Sequence, residues 1–297
     1  MANFRSDFQR NLFPGIELKI KSAFDEIPTE YSQMFNVKTS DSAFEEFLGA
    51  AGVGLFVKTK EREETPEDKF YKGFPKRYNH DEYMLKIGCT WLAMKDGKVK
   101  IFGERASDLG YSMRQTKEII HADILNSGFT VNGFDGVPLF STAHPFYRGG
   151  TQSNILTPVG TLSLLNYRLA LTQFRRMKDH TGVRRIRVMP VKLTVPPELE
   201  HVALEIVTSP DRPDTANRAK NVVMNKTSVF VYNYLMNIKN WFIFPDKSRI
   251  KIRVFEREAF RVDEYEDKDA RLNWVRGMFR TSSGHDDYLG PIGVNPA

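Results

Sequence analysis

Apolar positions along the chain fall into several distinct rhythms. The strongest lies between 96 and 128, where Val99, Phe102, Ala106, Leu109, Met113, Thr116, Ile120 and Ile124 recur at steps of three and four. That spacing places them on one stripe of a helix, with Asp96 set as N-cap and Gly128 as C-terminal stop. About thirty helical residues make a rod roughly 45 Å long. Gly103 and Gly110 each cost about 1 kcal/mol inside a helix, which leaves a bend or break open at those positions. A long helix with one narrow apolar stripe needs something long to lie against. Further on the rhythm changes to period two: Ile250, Ile252 and Val254 alternate with charges, as a half-buried strand does. An acidic turn over Asp263 to Asp269 and a returning strand through Leu272, Trp274 and Met278 follow.

Between these blocks the signals are shorter. A second amphipathic helix is expected over 163–181, with Ser163 as N-cap and Leu165, Leu169, Thr172 and Met177 near its apolar face. Pro190 to Val195 reads as a strand, and Pro196-Pro197 opens a third helix with Leu199, Val202, Ala203 and Ile206 inward. Ser228 to Leu235 and Trp241 to Phe244 read as strands, whereas 129–160 and 209–220 are loop-rich. Residues 53–88 read as a long hairpin: Gly54-Leu55-Phe56-Val57 opens one flank, Arg77 to Ile87 returns, and the charge run from Glu61 to Lys69 is a solvated tip. Residues 1–52 scatter Phe4, Phe8, Leu12, Phe13, Phe24, Tyr31 and Phe35 through polar sequence, with Pro14-Gly15 and Pro28 as breakers. They are expected to form an extended arm whose aromatics need another body, within the chain or on a neighbour.

Composition narrows the class. With 297 residues, 41% hydrophobic and 27% charged, a packed core is within reach and global disorder is excluded. A compact chain of this length exposes roughly 13,000 Å², so an extended subunit would exceed that. No apolar run is long enough to span a bilayer, and the first ten residues do not read as a signal peptide. The single cysteine, Cys89, leaves no internal disulfide and no thiolate zinc cage. The formal charge of +6 suits a position near a polyanion without demonstrating binding.

Catalytic and metal signatures are sparse. The six histidines form no HxxxH or HExxH pair, and no phosphate-cradling glycine loop or nucleophile elbow occurs, so neither cofactor nor metal is expected. Ser141-Thr142-Ala143-His144 places a hydroxyl near an imidazole in sequence; a turn with its own side-chain hydrogen bonds is the expected reading, with a hydrolase as the competing one. Arg168, Arg175, Arg176, Lys178, Arg184, Arg185 and Arg187 form the densest basic stretch. It reads as a solvated helix face with salt-bridge partners, or as a subunit or polyanion contact. A nucleic-acid-binding protein using that stretch is a rival from another class, and predicts salt-dependent DNA binding by the monomer.

An aromatic arm, a charged ribbon, a spine helix and a mixed domain make sense in a subunit that wraps its neighbours. Several stretches carry a resemblance in register over about 45–280. They are Gly73-Phe74-Pro75-Lys76-Arg77-Tyr78-Asn79-His80, Arg114-Gln115-Thr116-Lys117-Glu118, Asp123-Ile124-Leu125-Asn126, the run from Asp135 to Pro145 continuing to Gly149-Gly150-Thr151-Gln152-Ser153-Asn154, Val195-Pro196-Pro197-Glu198-Leu199-Glu200, and Trp241-Phe242. In these the sequence resembles the major capsid proteins of tailed bacteriophages, with the Hong Kong 97-type α+β fold, in the branch related to the Mu-like major head subunit.

The resemblance implies an N-arm at 1–52, an E-loop hairpin at 53–88, a P-domain from 89–128 and 249–281, and an A-domain with C-terminal segment from 129–248 and 282–297. It implies self-assembly into hexamers and pentamers of an icosahedral shell enclosing packaged double-stranded DNA. A separate scaffolding protein and a portal would take part, in the bacterial cytoplasm, and the virion would be the destination. The short arm leaves no room for a large fused scaffolding segment. Ser141 and His144 fall inside a stretch that is structural in that family. Inter-subunit contact is expected from Phe4, Phe8, Glu61, Arg62, Glu64, Asp68, Phe70, Tyr71 and Phe74, with Arg175, Arg176, Arg184 and Arg185 as a basic contact surface. An encapsulin-like compartment is the closest architectural rival.

Overall fold

The computed structural model describes residues 12–50, 52–68, 72–96, 99–214, 219–267 and 269–296. Phe4, Phe8, Phe70 and Tyr71 lie outside them. The spine appears as α4 (Val99–Asn126), a continuous 28-residue helix. Phe102, Ala106, Leu109 and Met113 are buried along its first half. Gly103 and Gly110 do not break it, because α1 (Phe13–Glu26) lies across them. A Cβ on Gly110 would stand 2.3 Å from the Ile20 carbonyl oxygen and 3.0 Å from the Ala23 Cβ. The two backbones therefore approach more closely than any other residue would allow.

That packing corrects the expectation for residues 1–52. Pro14 sits in the first turn of α1, where its missing N–H and fixed φ favour a helix start. Ile16, Ile20, Ala23 and Phe24 are spaced to bury one face on the spine. Pro28 follows the helix end, and a single turn α2 (Tyr31–Met34) buries Tyr31, Met34 and Phe35. Most of the described arm is thus folded on its own chain.

Strand β1 (Asn36–Thr39) pairs in parallel with β10 (Ile252–Asp267), which pairs with β11 (Leu272–His285), which pairs with β4 (Asp81–Thr90). β10 runs on to Asp267, so most of the stretch expected to be an acidic turn is strand, and the chain reverses between Asp267 and Leu272. A separate two-stranded ribbon is built from β2 (Phe44–Ala50) and β3 (Lys72–Asn79). The hairpin flanks therefore lie at 44–50 and 72–79 rather than at 54–57 and 77–87. The expected returning flank, Arg77 to Ile87, is divided at His80: its start belongs to β3, while β4 joins the other sheet and leads into the short helix α3 (Trp91–Lys95).

A short pair, β5 (His144–Pro145) and β6 (Thr151–Gln152), lies in the loop-rich stretch. The second sheet has the order β12 (Ile292–Val294), β9 (Trp241–Pro245), β7 (Pro190–Val195) and β8 (Ser228–Val231). Helices α5 (Leu164–Arg176) and α6 (Glu200–Thr208) pack on it through Tyr167, Ala170, Phe174, Ala203 and Ile206. Ser163 caps α5 by accepting from the Asn166 N–H, as expected. The inward face of α5 differs from the expected one: Leu164, Tyr167, Ala170 and Phe174 are buried, while Leu165 and Leu169 are exposed. On α6, Val202 is exposed and Val207 buried. A third cluster of Phe35, Ala122, Leu125, Phe140, Phe242, Phe244, Ile252 and Val254 joins the end of the spine to both sheets.

The two spine glycines give opposite predictions. Gly110→Ala should destabilise the chain by about 1–3 kcal/mol through overpacking, despite the better helix propensity of alanine. At Gly103 a Cβ meets only the Lys19 ammonium at 2.6 Å, the far end of a flexible side chain. Gly103→Ala should therefore be neutral or stabilising by up to about 1 kcal/mol. Urea unfolding midpoints of the two variants measure both.

Candidate assembly surfaces

The second half of α4 buries charge beside hydrocarbon. Arg114, Lys117, Glu118 and His121 are all buried, and three of them lie in or beside the Arg114-to-Glu118 stretch singled out above. The Glu118 carboxylate accepts from the backbone N–H groups of Glu30 (2.9 Å) and Tyr31 (3.1 Å), which begin α2 and have no partner within the helix. Arg114 donates to the Phe24 carbonyl at 2.8 Å, where α1 ends, and its guanidinium lies 3.8 Å from the centre of the Phe24 ring. Lys117 reaches Glu256 on β10 at 2.7 Å, and the Tyr31 hydroxyl donates to the same carboxylate at 3.0 Å. The Glu30 carboxylate accepts from the Asn233 N–H at 2.9 Å, beyond β8. These contacts clamp the arm between spine and both sheets.

Burial raises the Glu118 carboxyl to about 7, against the two backbone donors that favour its charge. Burial and the Lys117 ammonium hold His121 down at about 3. It is therefore neutral at physiological pH and rests 4.4 Å from the Tyr31 ring.

The loop-rich stretch after the spine has its own tie. His144 Nδ1 meets Asp135 Oδ2 at 2.7 Å, and Nε2 meets Asn154 Oδ1 at 3.1 Å. Asn154 Oδ1 also accepts from the Ser141 N–H at 2.8 Å, and its amide donates to the Leu139 carbonyl at 2.7 Å. That fixes the amide oxygen toward the imidazole, so Nε2 donates. The ring stacks on Tyr288 at 3.9 Å. The Ser141 hydroxyl accepts from the Ala143 N–H at 3.2 Å instead of facing the imidazole. These are the bonds of a turn that pins 135–154 against the C-terminal segment. Among the described residues, no group of three or more His, Cys, Asp or Glu side chains could hold a metal ion, and no helix is long and apolar enough to cross a membrane.

The ribbon is fixed at its base and bare at its tip. Phe47 packs on Tyr78 and Phe255, and Arg77 lies 3.7 Å from the Phe44 ring centre. Phe74, expected between chains, packs on Phe134 and Tyr147 of its own chain and stays about one third exposed (36%). Asp68 is likewise held within the chain, by Arg148 and by the Gly54 N–H at 2.6 Å. Beyond that clasp Val53, Leu55, Phe56 and Val57 are exposed, Phe56 completely. Glu61, Arg62 and Glu64 are exposed as well. Arg62 sits at φ 64° in a turn closed by the Glu63 N–H on the Lys60 carbonyl at 3.1 Å.

The expected basic surface is divided. Arg175 and Arg176 form the last turn of α5, favourably placed against the helix dipole, and are exposed with Arg185. Arg184 pairs with Asp179 at 3.0 Å and turns toward the ribbon base near Gly52. Sequence reading missed the Arg114–Glu118–His121 clamp as a structural device; charges at inward helical positions were its only signal.

Spine, ribbon, two sheets and a pinned loop have a counterpart among known proteins. A family model described as phage capsid protein matches residues 75–290. The chain belongs to the phage capsid protein family. Its fold is the Hong Kong 97-type α+β fold, and solved structures bear this out. The mature capsid of bacteriophage PhiM1 is similar with a TM-score of 0.59 at 9% identity, covering 91% of this chain and 87% of that one. The capsid of Ralstonia phage GP4 gives 0.57 at 13% identity, covering 91% and 90%. The procapsid of bacteriophage JBD30 gives 0.54 at 12% identity, covering 96% and 74%. No curated protein matches the sequence.

The clamp of this capsid protein predicts an unusual pH dependence. Glu118 has a folded value of about 7 against an ordinary 4.5, so the folded chain binds the proton more tightly than the unfolded one. The stabilisation from its proton is present at low pH and is lost as pH rises through that window, by up to about 3 kcal/mol. Glu30 and Arg114 are the charged groups that act on it, the first raising its value and the second lowering it. Glu118→Gln should flatten that part of the slope, read as the difference between wild-type and variant unfolding free energies from pH 4.5 to 7.5.

Proposed function

We propose that this capsid protein is the major subunit of a phage head, closing as hexamers and pentamers into an icosahedral shell around packaged double-stranded DNA. The observation that carries this is the surface left unfinished. The chain exposes 17,027 Å², against roughly 13,000 Å² for a compact chain of its length. Part of the excess is apolar: Val53, Leu55, Phe56 and Val57 project together on a ribbon anchored at its base. An exposed apolar cluster on a projecting element marks an interaction site, and multiplied over a closed shell such contacts become collectively strong.

In this reading the β2–β3 ribbon and its loop are the E-loop. The spine with the β1-β10-β11-β4 sheet is the P-domain, and the β12-β9-β7-β8 sheet with α5 and α6 is the A-domain. Glu61, Arg62 and Glu64 would meet neighbouring copies, as would Phe4, Phe8, Phe70 and Tyr71; Arg175, Arg176 and Arg185 would form exposed basic contacts. A scaffolding protein and a portal would act during assembly in the bacterial cytoplasm. The formal charge of +6 would lower repulsion from DNA without reading its sequence.

A compartment reading has one observation behind it: the virus-like particle from Pyrococcus furiosus is similar with a TM-score of 0.50 at 9% identity, covering 96% of this chain and 100% of that one. Particle contents separate the two, since DNA supports a head and a protein cargo a compartment. Expression of the full chain with a matching scaffolding protein, followed by electron microscopy, should show closed shells. Dispersed monomers across a range of salt would overturn the proposal.

A further inference from the structure

Between α5, the start of β7 and the segment before β8 lies an open cavity of about 340 Å³. Its apolar lining comprises buried Val223, half-buried Leu171 and, nearer solvent, Met189 and Val222, and Arg168, Arg175 and Lys226 complete it. Met189 and Val222 are 61% and 65% exposed, unusual for apolar side chains at the mouth of a cavity. Arg168 and Arg175 are seven residues apart on one helix, about 10 Å along the axis, so their charges bracket that lining. No acidic side chain is among the described residues that line it. The Asp214 carboxylate feels the charge of Arg168 but is itself held by the Arg212 guanidinium, at 3.0 and 2.7 Å.

The loop of the ribbon has the complementary order. Val53, Leu55, Phe56 and Val57 come first, Lys58 and Lys60 follow, and then Glu61, Glu63, Glu64 and Glu67 with Arg62 as the one basic residue among them, which leaves this half of the loop net acidic. Phe56 has no cover of its own. The Gly54–Asp68 clasp holds the two ends of the loop together and presents it as a unit. We propose that the loop of one copy docks in this cavity on a second copy, Phe56 against Leu171, Met189 and Val222, and the glutamates against Arg168, Arg175 and Lys226. The inference rests on the shell reading and names the contact that would serve it. Because socket and plug lie on different surfaces of one chain, the contact is head-to-tail, the kind that closes into rings.

Two single variants, Phe56→Cys and Met189→Cys, co-assembled and oxidised, should give a covalent dimer that reductant reverses. Its yield should be about tenfold above that from pairing Phe56→Cys with Leu18→Cys, because docking raises the effective concentration of the two thiols. Leu18 is exposed on α1, and Cys89 is buried and left in place. Shells that form normally without this dimer would overturn the docking and leave the shell reading standing. Absence of shells from the wild-type chain would overturn the shell reading, and the docking with it. A double Phe56→Cys, Met189→Cys chain that links to itself when diluted into wild-type subunits would overturn the second copy as occupant. In a second measurement, Arg175→Glu with Lys226→Glu should cut particle yield about tenfold, and Glu63→Lys with Glu64→Lys in the same chain should restore it. No loss from the first pair would overturn the role of charge.

Discussion

The fold turns on how α1 and its continuation are held against the spine. Two helices can approach as closely as α1 and α4 do only where one offers no side chain, and Gly110 supplies that place opposite Ile20 and Ala23. Apolar contact alone would let the arm slide along the rod. Glu118 prevents this by taking two backbone N–H groups at the start of α2, and Arg114 by taking the Phe24 carbonyl where α1 ends. Directional bonds to the backbone set register in a way that hydrocarbon cannot, and burial makes an unmet partner costly. Tyr31 and Lys117 share Glu256, so the same clamp fixes β10 to the spine.

A second constraint operates at the other end of the spine. The chain leaves α4 into a stretch with little regular structure, whose backbone must find partners elsewhere. Asn154 meets that need by bonding Ser141, His144 and Leu139 at once, and His144 stacks on Tyr288 near the C-terminus. The body is therefore tied at both ends of one rod. Among the described residues the ribbon loop is tied through Asp68, and past that clasp apolar side chains stand in solvent.

What could be read from sequence follows from what each element depends on. The spine and the β10–β11 pair were legible because one long partner surface imposes one long period on each. The Ser163 cap was legible because it is a local hydrogen bond. α1 was hidden behind Pro14-Gly15, read as a breaker where proline in fact opens a helix; Ile16, Ile20, Ala23 and Phe24 already carried its spacing. The inward face of α5 was misplaced because leucines occur on both sides of it, and only the sheet decides that Tyr167 and Phe174 go inside. The ribbon was displaced along the chain because Leu55-Phe56-Val57 has the composition of a strand, yet no strand among the described residues pairs with it. Of the candidate surface, charge and exposure at Glu61, Arg62 and Glu64 were visible in sequence. The intrachain capture of Phe74 and Asp68 was not, since Tyr147, Phe134 and Arg148 come near them only through the fold.

The same division explains why one chain can be rigid and unfinished at once. Buried ionic bonds and close helix contact fix the body of the subunit from within its own chain. A shell needs that, because errors in subunit shape would accumulate around a closed surface. The ribbon answers a different need. Its base is held by aromatic packing of Phe47, Tyr78 and Phe255 and its ends by one clasp, so its direction is set while its apolar tip is left unsatisfied. A tip free to wander would lose more entropy on docking, and a tip already covered would gain nothing. An anchored ribbon with bare Phe56 avoids both losses, so association can begin from a surface whose direction is fixed before any neighbour arrives.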